Sequence, residues 1–189
     1  MKTPGYIFVI SALFITFSSC GEDQRETQQA FLQNFDSYCG YAYEGYTEYI
    51  DLGEDHQLDG AELLMILDHC EENEVRIPFW VNDDRSRTWI LSIDDRGLRL
   101  SHDHRYENGT EHEANMYGGY SDDRATNTKH FYPADEQTIE DRPQRDINTW
   151  STEIDRENDR YIYRLYLEDE LRYEAIFDLS EPIALDDVQ

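Results

Sequence analysis

The sequence predicts a mainly β chain: a single antiparallel meander, closed or nearly closed into a barrel of about eight to ten strands, with a short N-terminal helix. Three observations predict it. From Tyr38 onward, apolar and polar residues alternate over most of the chain, and period two is the period of side chains along a strand. Turn residues separate these runs at near-regular spacing. No internal repeat, low-complexity tract or Pro/Gly/Ser linker divides the roughly 160 residues after the N-terminal segments, a length that suits one domain. A meander of that length must manage its edges, and closure into a barrel removes them.

In chain order, residues 1–19 read as a signal peptide, 20–29 as a modified cysteine with a polar tether, 30–180 as the domain and 181–189 as a frayed tail. Glu26 to Ser37 carries a short helical pattern, with Ala30, Phe31, Leu32 and Phe35 on one side. Tyr38 to Ile50 is an aromatic alternating strand that Gly40 and Gly45 should bend. Asp51 to Gly60 is an acidic loop. Ala61 to Cys70 and Val75 to Val81 follow as strands, and Pro78 requires an edge or a bulge on its amide side.

Arg87 to Tyr120 reads as three strands joined by two tight turns. Asp94-Asp95-Arg96-Gly97 closes one and Asn108-Gly109 the other, both with residues that tolerate positive φ. The first turn places Ile93 opposite Leu98, Trp89 opposite His102 and Arg87 opposite His104. A two-residue turn at Asn108-Gly109 places His104 opposite Glu113, His102 opposite Asn115 and Leu100 opposite Tyr117. Ala125 to Tyr132 is then a strand ended by Pro133, 133–146 is irregular, and Ile147 to Ile154 is a strand with Trp150 and Ile154 on one face. The last hairpin pairs Tyr161, Tyr163, Leu165 and Leu167 with Leu171, Tyr173, Ala175, Phe177 and Leu179 about a turn at Glu168-Asp169-Glu170.

The first residues carry a resemblance. Lys2 precedes an apolar run from Tyr6 to Phe17, and Phe17-Ser18-Ser19-Cys20-Gly21 follows. The run is shorter than the about 20 residues that a membrane span needs. This pattern resembles bacterial lipoprotein signal peptides, in which small residues precede the cysteine that becomes the lipidated N-terminus. The resemblance implies lipidation of Cys20, a membrane contact through that lipid, and residence in the bacterial cell envelope. Gly21 after the cysteine favours the outer membrane in the resembled enterobacterial class. Alternatively, Glu22-Asp23 acts as a surface-export signal, as in some Bacteroidota-like lipoproteins.

The chain has three cysteines, an odd count for an exported protein. If Cys20 carries lipid, Cys39 and Cys70 remain to form a disulfide in an oxidising compartment, worth about 3–4 kcal/mol for a loop of that size.

The formal net charge is −26, from 42 acidic and 16 basic residues. That balance repels phosphate backbones and argues against nucleic acid as a partner. Asp55 to Gly60 resembles the first half of an EF-hand loop, but Ile66 stands where the twelfth-position glutamate is required, so the motif is rejected. No serine or cysteine nucleophile motif and no glycine-rich phosphate loop is present, and the sequence requires no cofactor.

Arg87, Trp89, His102, His104, Glu113 and Asn115 are the candidate ligand-binding residues, all on the inner face of the central strands. His102, His104 and Glu113 have the donor types to hold zinc or iron, or to transfer protons; the same residues can equally form a buried hydrogen-bonded network or line an exposed face. His56, His69, His112 and His130 stand apart from this pattern and read as surface or incidental residues. The whole arrangement resembles the architecture of the calycin superfamily, the lipocalins, fatty-acid-binding proteins and their relatives, and is similar to secreted bacterial proteins. A small-ligand-binding or structural barrel is favoured over an enzyme. An acid/base or metal-dependent enzyme using the inner histidines, and a filled barrel that binds an envelope protein, stay open.

Overall fold

The computed structural model describes residues 19–188; most of the expected signal peptide, and the side chain of Cys20 with it, lies outside the described residues. Inner and outer faces follow from alternation. In β4 (Glu74–Val81) Val75, Ile77, Phe79 and Val81 are buried, and in β5 (Asp84–Asp94) so are Trp89, Leu91 and Ile93. The remaining strands are β1 (Tyr41–Ile50), β2 (Leu63–Leu67), β3 (His69–Glu71), β6 (Gly97–His104), β7 (Tyr117–Tyr120), β8 (Lys129–Pro133), β9 (Asn148–Asp155), β10 (Arg160–Leu167), β11 (Glu170–Asp178) and β12 (Ile183–Ala184). Ten of them follow one another around an antiparallel sheet, β7-β6-β5-β4-β2-β1-β11-β10-β9-β8, with β3 on β4 and β12 on β1. This is the expected meander, nearly closed into a barrel.

The seam lies between β7 and β8. The amide of Asp122 donates to the Phe131 carbonyl and that of Asp135 to the Gly118 carbonyl, each at 3.0 Å. Gly119 allows this approach, since a Cβ there would sit 1.8 Å from the Pro133 carbonyl oxygen, while on the other side of β7 a Cβ at Gly118 would sit 1.8 Å from that of Leu100 in β6.

Pro78 lies where the sheet can spare its missing amide. β2 pairs with β4 as far as Met65 and Phe79, and pairing resumes one residue out of step at His69 and Arg76 in β3. The interruption falls opposite Pro78, the bulge that proline requires. The bridge between Cys39 and Cys70, with Cα atoms 6.3 Å apart, ties the start of β1 to β3.

The N-terminal helix is longer than expected. α1 spans Ser19–Gln33, so the segment read as a polar tether is helical. Phe31, Leu32 and Phe35 close one end of the barrel; the Phe31 ring lies 4.4 Å from that of His130, and Phe35 5.8 Å from Tyr161. Arg25 donates to the Asp94 carbonyl at 3.3 Å, so the polar part of the helix is also docked. A helix this short owes its stability to such packing rather than to propensity. No helix among the described residues is long and apolar enough to cross a membrane.

Three other segments differ from the reading of the sequence. The stretch after Pro133 contains α2 (Glu136–Asp141), started by the Asp135 carboxylate accepting from the Thr138 amide, and then a 3-10 turn at Pro143–Arg145. The expected tail contributes β12, which pairs with β1 at Ala42 and Tyr41. His130 is fully buried, with Nδ1 2.7 Å from the Ser121 hydroxyl.

Candidate functional site

The interior is packed beneath a layer of stacked rings. Trp89 lies between Phe79 and Tyr163, at 4.3 Å and 4.4 Å, with interplanar angles of 14° and 17°. Leu91, Leu100 and Ile77 fill the barrel on the α1 side of that layer. On the other side, toward the β4–β5 turn and away from α1, a cavity of about 540 Å³ opens. Its floor is the ring layer with His102 and Trp150; Arg87, His104, Tyr117 and Tyr173 line its walls; the β1–β2 loop and the 3-10 turn reach it from the rim. Such a volume suits a small molecule.

The structure brings four of the six expected residues together. Arg87 faces His104 and Trp89 faces His102 across β5 and β6, in the expected register, and all four line the cavity. The other hairpin differs in register. Glu107, Asn108 and Gly109 form a three-residue loop, with Tyr106 and Thr110 bonded across it and only Gly109 at positive φ. His104 then accepts from the amide of His112, whereas His102 pairs with Tyr117, so Glu113, Ala114, Asn115 and Met116 together lie opposite the single residue Asp103. Glu113 therefore does not face His104. It is exposed, and its carbonyl accepts from Arg142. Asn115 does not face His102; its side-chain oxygen accepts the His104 amide at 2.7 Å and stands in for the interrupted strand. No group of three or more His, Cys, Asp or Glu side chains converges to metal-holding distance among the described residues. The trio of His102, His104 and Glu113 is not assembled.

The chemistry of His102 follows from its partners. Nδ1 lies 3.1 Å from the Tyr117 carbonyl, which can only accept, so Nδ1 carries the proton. Nε2, 2.8 Å from the Tyr163 hydroxyl, then accepts from it. Both ring nitrogens are satisfied within the protein. Burial lowers the pKa of the ring to about 3, and the ring stays neutral. His104, with Nε2 3.1 Å from the Tyr117 hydroxyl, is lowered to about 4, by burial first and by the Arg87 charge next.

Arg87 donates to Asp84 at 2.6 Å. Burial raises the Asp84 carboxyl, but the bonds from Ser86 and the Arg87 charge outweigh it and hold its pKa below the ordinary value. Arg145 differs. Its guanidinium lies 3.9 Å from the centre of the Tyr117 ring, and its buried Nε has no hydrogen-bond partner.

Reasoning from sequence missed several lining residues. His56 and His112, read as surface histidines, both reach the cavity. Tyr117 arrives through the shifted register. Trp150 and Tyr163 were placed on inward faces, but alternation does not tell which end of a barrel is open. Arg145 sits in the irregular stretch and carries no periodic signal.

A search of known protein-family models finds none that matches this chain, and a search of curated proteins likewise finds no match.

Proposed function

We propose that this protein is a lipid-anchored module of a bacterial cell envelope, whose calycin-like barrel binds a small molecule in the cavity above the Trp89 layer. The observation that carries the binding role is the cavity itself: about 540 Å³, open at one end, floored by aromatic rings and walled by polar and ionisable side chains. Ligand sites are concave hollows in which placed polar groups fix orientation, and this one is richer in polar groups than most. The lipid anchor rests on Phe17-Ser18-Ser19-Cys20-Gly21 and on cysteine parity, since Cys39 and Cys70 are bonded to each other and Cys20 is the third cysteine of an odd count. Outer-membrane residence follows from Gly21 under the same resemblance.

Two experiments test the two halves. Cells fed a clickable fatty acid should label the wild-type protein and not Cys20→Ala; equal labelling of both overturns the anchor. Native mass spectra of protein isolated from the producing cell should show one bound small molecule. Leu165→Trp, which fills the cavity from its wall, should abolish the adduct. A wild-type spectrum without any adduct, or an adduct that survives Leu165→Trp, overturns the binding role.

A further inference from the structure

We propose that the cavity takes a small aromatic carboxylate, with the guanidinium of Arg145 receiving its anionic group and the Trp89 layer receiving its ring. This rests on the reading of the barrel as a ligand-binding module and names the class of ligand.

The inference starts from charge. The chain holds 42 acidic and 16 basic residues, yet among the described residues only seven of its fourteen arginines have a carboxylate within ion-pair distance. Arg87, Arg99, Arg164 and Arg172 each have one or two within ion-pair distance. Among the described residues none reaches Arg145, although its Nε is buried and its charged end faces the cavity. The Nε is out of reach of an anion in the cavity, but the terminal N–H groups carry the same charge and have no carboxylate beside them, so an arriving anion would supply the missing partner.

Arg145 is also held in place. Pro143 opens the 3-10 turn, the Arg145 amide donates to the Arg142 carbonyl at 2.9 Å, and the guanidinium carbon lies 3.9 Å from the centre of the Tyr117 ring, which stacks in turn on His102 at 4.6 Å. A guanidinium held over an aromatic ring offers its terminal N–H groups as a fork to a carboxylate.

The lining supports one negative charge rather than a positive one. Arg87 and Asp84 neutralise each other at 2.6 Å, and Arg145 remains as the surplus charge. The overall charge of −26 slows an approaching anion, but beyond about 8 Å that repulsion is screened at physiological salt. The aromatic body is inferred from the floor. Phe79, Trp89, Trp150 and Tyr163 lie beneath the cavity with Trp89 covered on both faces, so an arriving ring meets the edges of this stack.

The test is titration calorimetry on the full chain in lipid discs, with empty discs as the blank. The probes are 2-naphthoate and its neutral amide, which share a ring system and differ in charge. The wild type should bind the carboxylate about tenfold more tightly than the amide, and Arg145→Gln should erase that preference while leaving amide binding within about twofold. Arg145 is on a surface turn, and unchanged thermal unfolding of the variant checks its fold. If the amide binds as well as the carboxylate, or if Arg145→Gln keeps the preference, the proposal is overturned and the module reading stands. If neither probe binds the wild type, the proposal is overturned, and the native mass spectra decide the module reading separately.

Discussion

The ring of His102 lies parallel to that of its cross-strand neighbour Tyr117, with centroids 4.6 Å apart and planes 8° apart. The same histidine donates to the Tyr117 carbonyl and accepts from Tyr163 across the barrel. His102 thus joins β6, β7 and β10 as a neutral connector. His102→Ala should destabilise the protein by about 1–3 kcal/mol through groups left unsatisfied, with a further packing loss. Chelator should not reproduce the effect. Urea unfolding of both proteins, with and without chelator, checks this; a stability loss in the wild type on chelation would contradict it.

Tyr163→Phe tests the same bond from the other side. It leaves Nε2 of a fully buried ring without its donor, so the expected loss is about 1–3 kcal/mol. In a double-mutant cycle with His102→Phe the two losses should be less than additive, because the second change removes a group that the first has already left unpaired. Strict additivity would show that the hydroxyl bond contributes nothing of its own.

The seam and the register show how much of this was legible. The strands, their inward faces, the register across the Asp94–Gly97 turn and the disulfide follow from alternation, turn chemistry and parity, which are local signals; the last hairpin closes with Leu167 opposite Glu170 rather than about a three-residue turn. The Asp94–Gly97 turn fixed Trp89 opposite His102 because two residues close it without slack. The Asn108–Gly109 turn misled. Its residues suit a two-residue loop, but the return strand carries four residues opposite Asp103, and Asn115 satisfies the exposed amide with its side chain. Nothing local encodes such a bulge; it goes with the close fit of β7 on both sides, Gly118 against Leu100 of β6 and Gly119 against Pro133 of β8. Arg145 was illegible for a similar reason, since its position depends on a turn packed against that seam.

Acid should destabilise the fold before most carboxylates titrate. His102, His104 and His130 have folded-state pKa values of about 3, 4 and 4, each depressed chiefly by burial, against about 6.5 unfolded. The unfolded chain therefore binds more protons between roughly pH 6.5 and pH 4, so stability rises with pH across that window and falls as the pH is lowered through it. The loss should be on the order of a few kcal/mol in total. His130→Gln should flatten the slope of unfolding free energy against pH between 6.5 and 4; an unchanged slope would remove His130 from the account.

The disulfide closes a loop with a sequence separation of 31 residues between Cys39 and Cys70. Cys39→Ser with Cys70→Ser should cost about 3–4 kcal/mol, mainly by freeing the unfolded chain. The cavity lies at the other end of β1 from this bridge, so binding of 2-naphthoate should persist at temperatures where the variant is still folded. Thermal unfolding with and without reductant gives the first quantity and calorimetry the second.

Closure of the barrel depends on Gly119 more directly than on any ion pair. A Cβ there would stand 1.8 Å from the Pro133 carbonyl oxygen, and the two backbones would have to part to admit it. The β7–β8 seam holds few direct bonds, chiefly Asp122 to Phe131 and Asp135 to Gly118, so it can open without breaking a long ladder. Gly119→Ala should therefore lose about 1–3 kcal/mol, the cost of overpacking, and should expose the seam selectively. Amide hydrogen exchange resolves the two effects. In the variant, the Asp122 and Asp135 amides should exchange much faster than in the wild type, by more than the global loss of stability predicts, while the Tyr163 and Phe177 amides on the opposite wall follow the global change alone. Uniform acceleration over all four would mean that the seam opens only with the whole barrel.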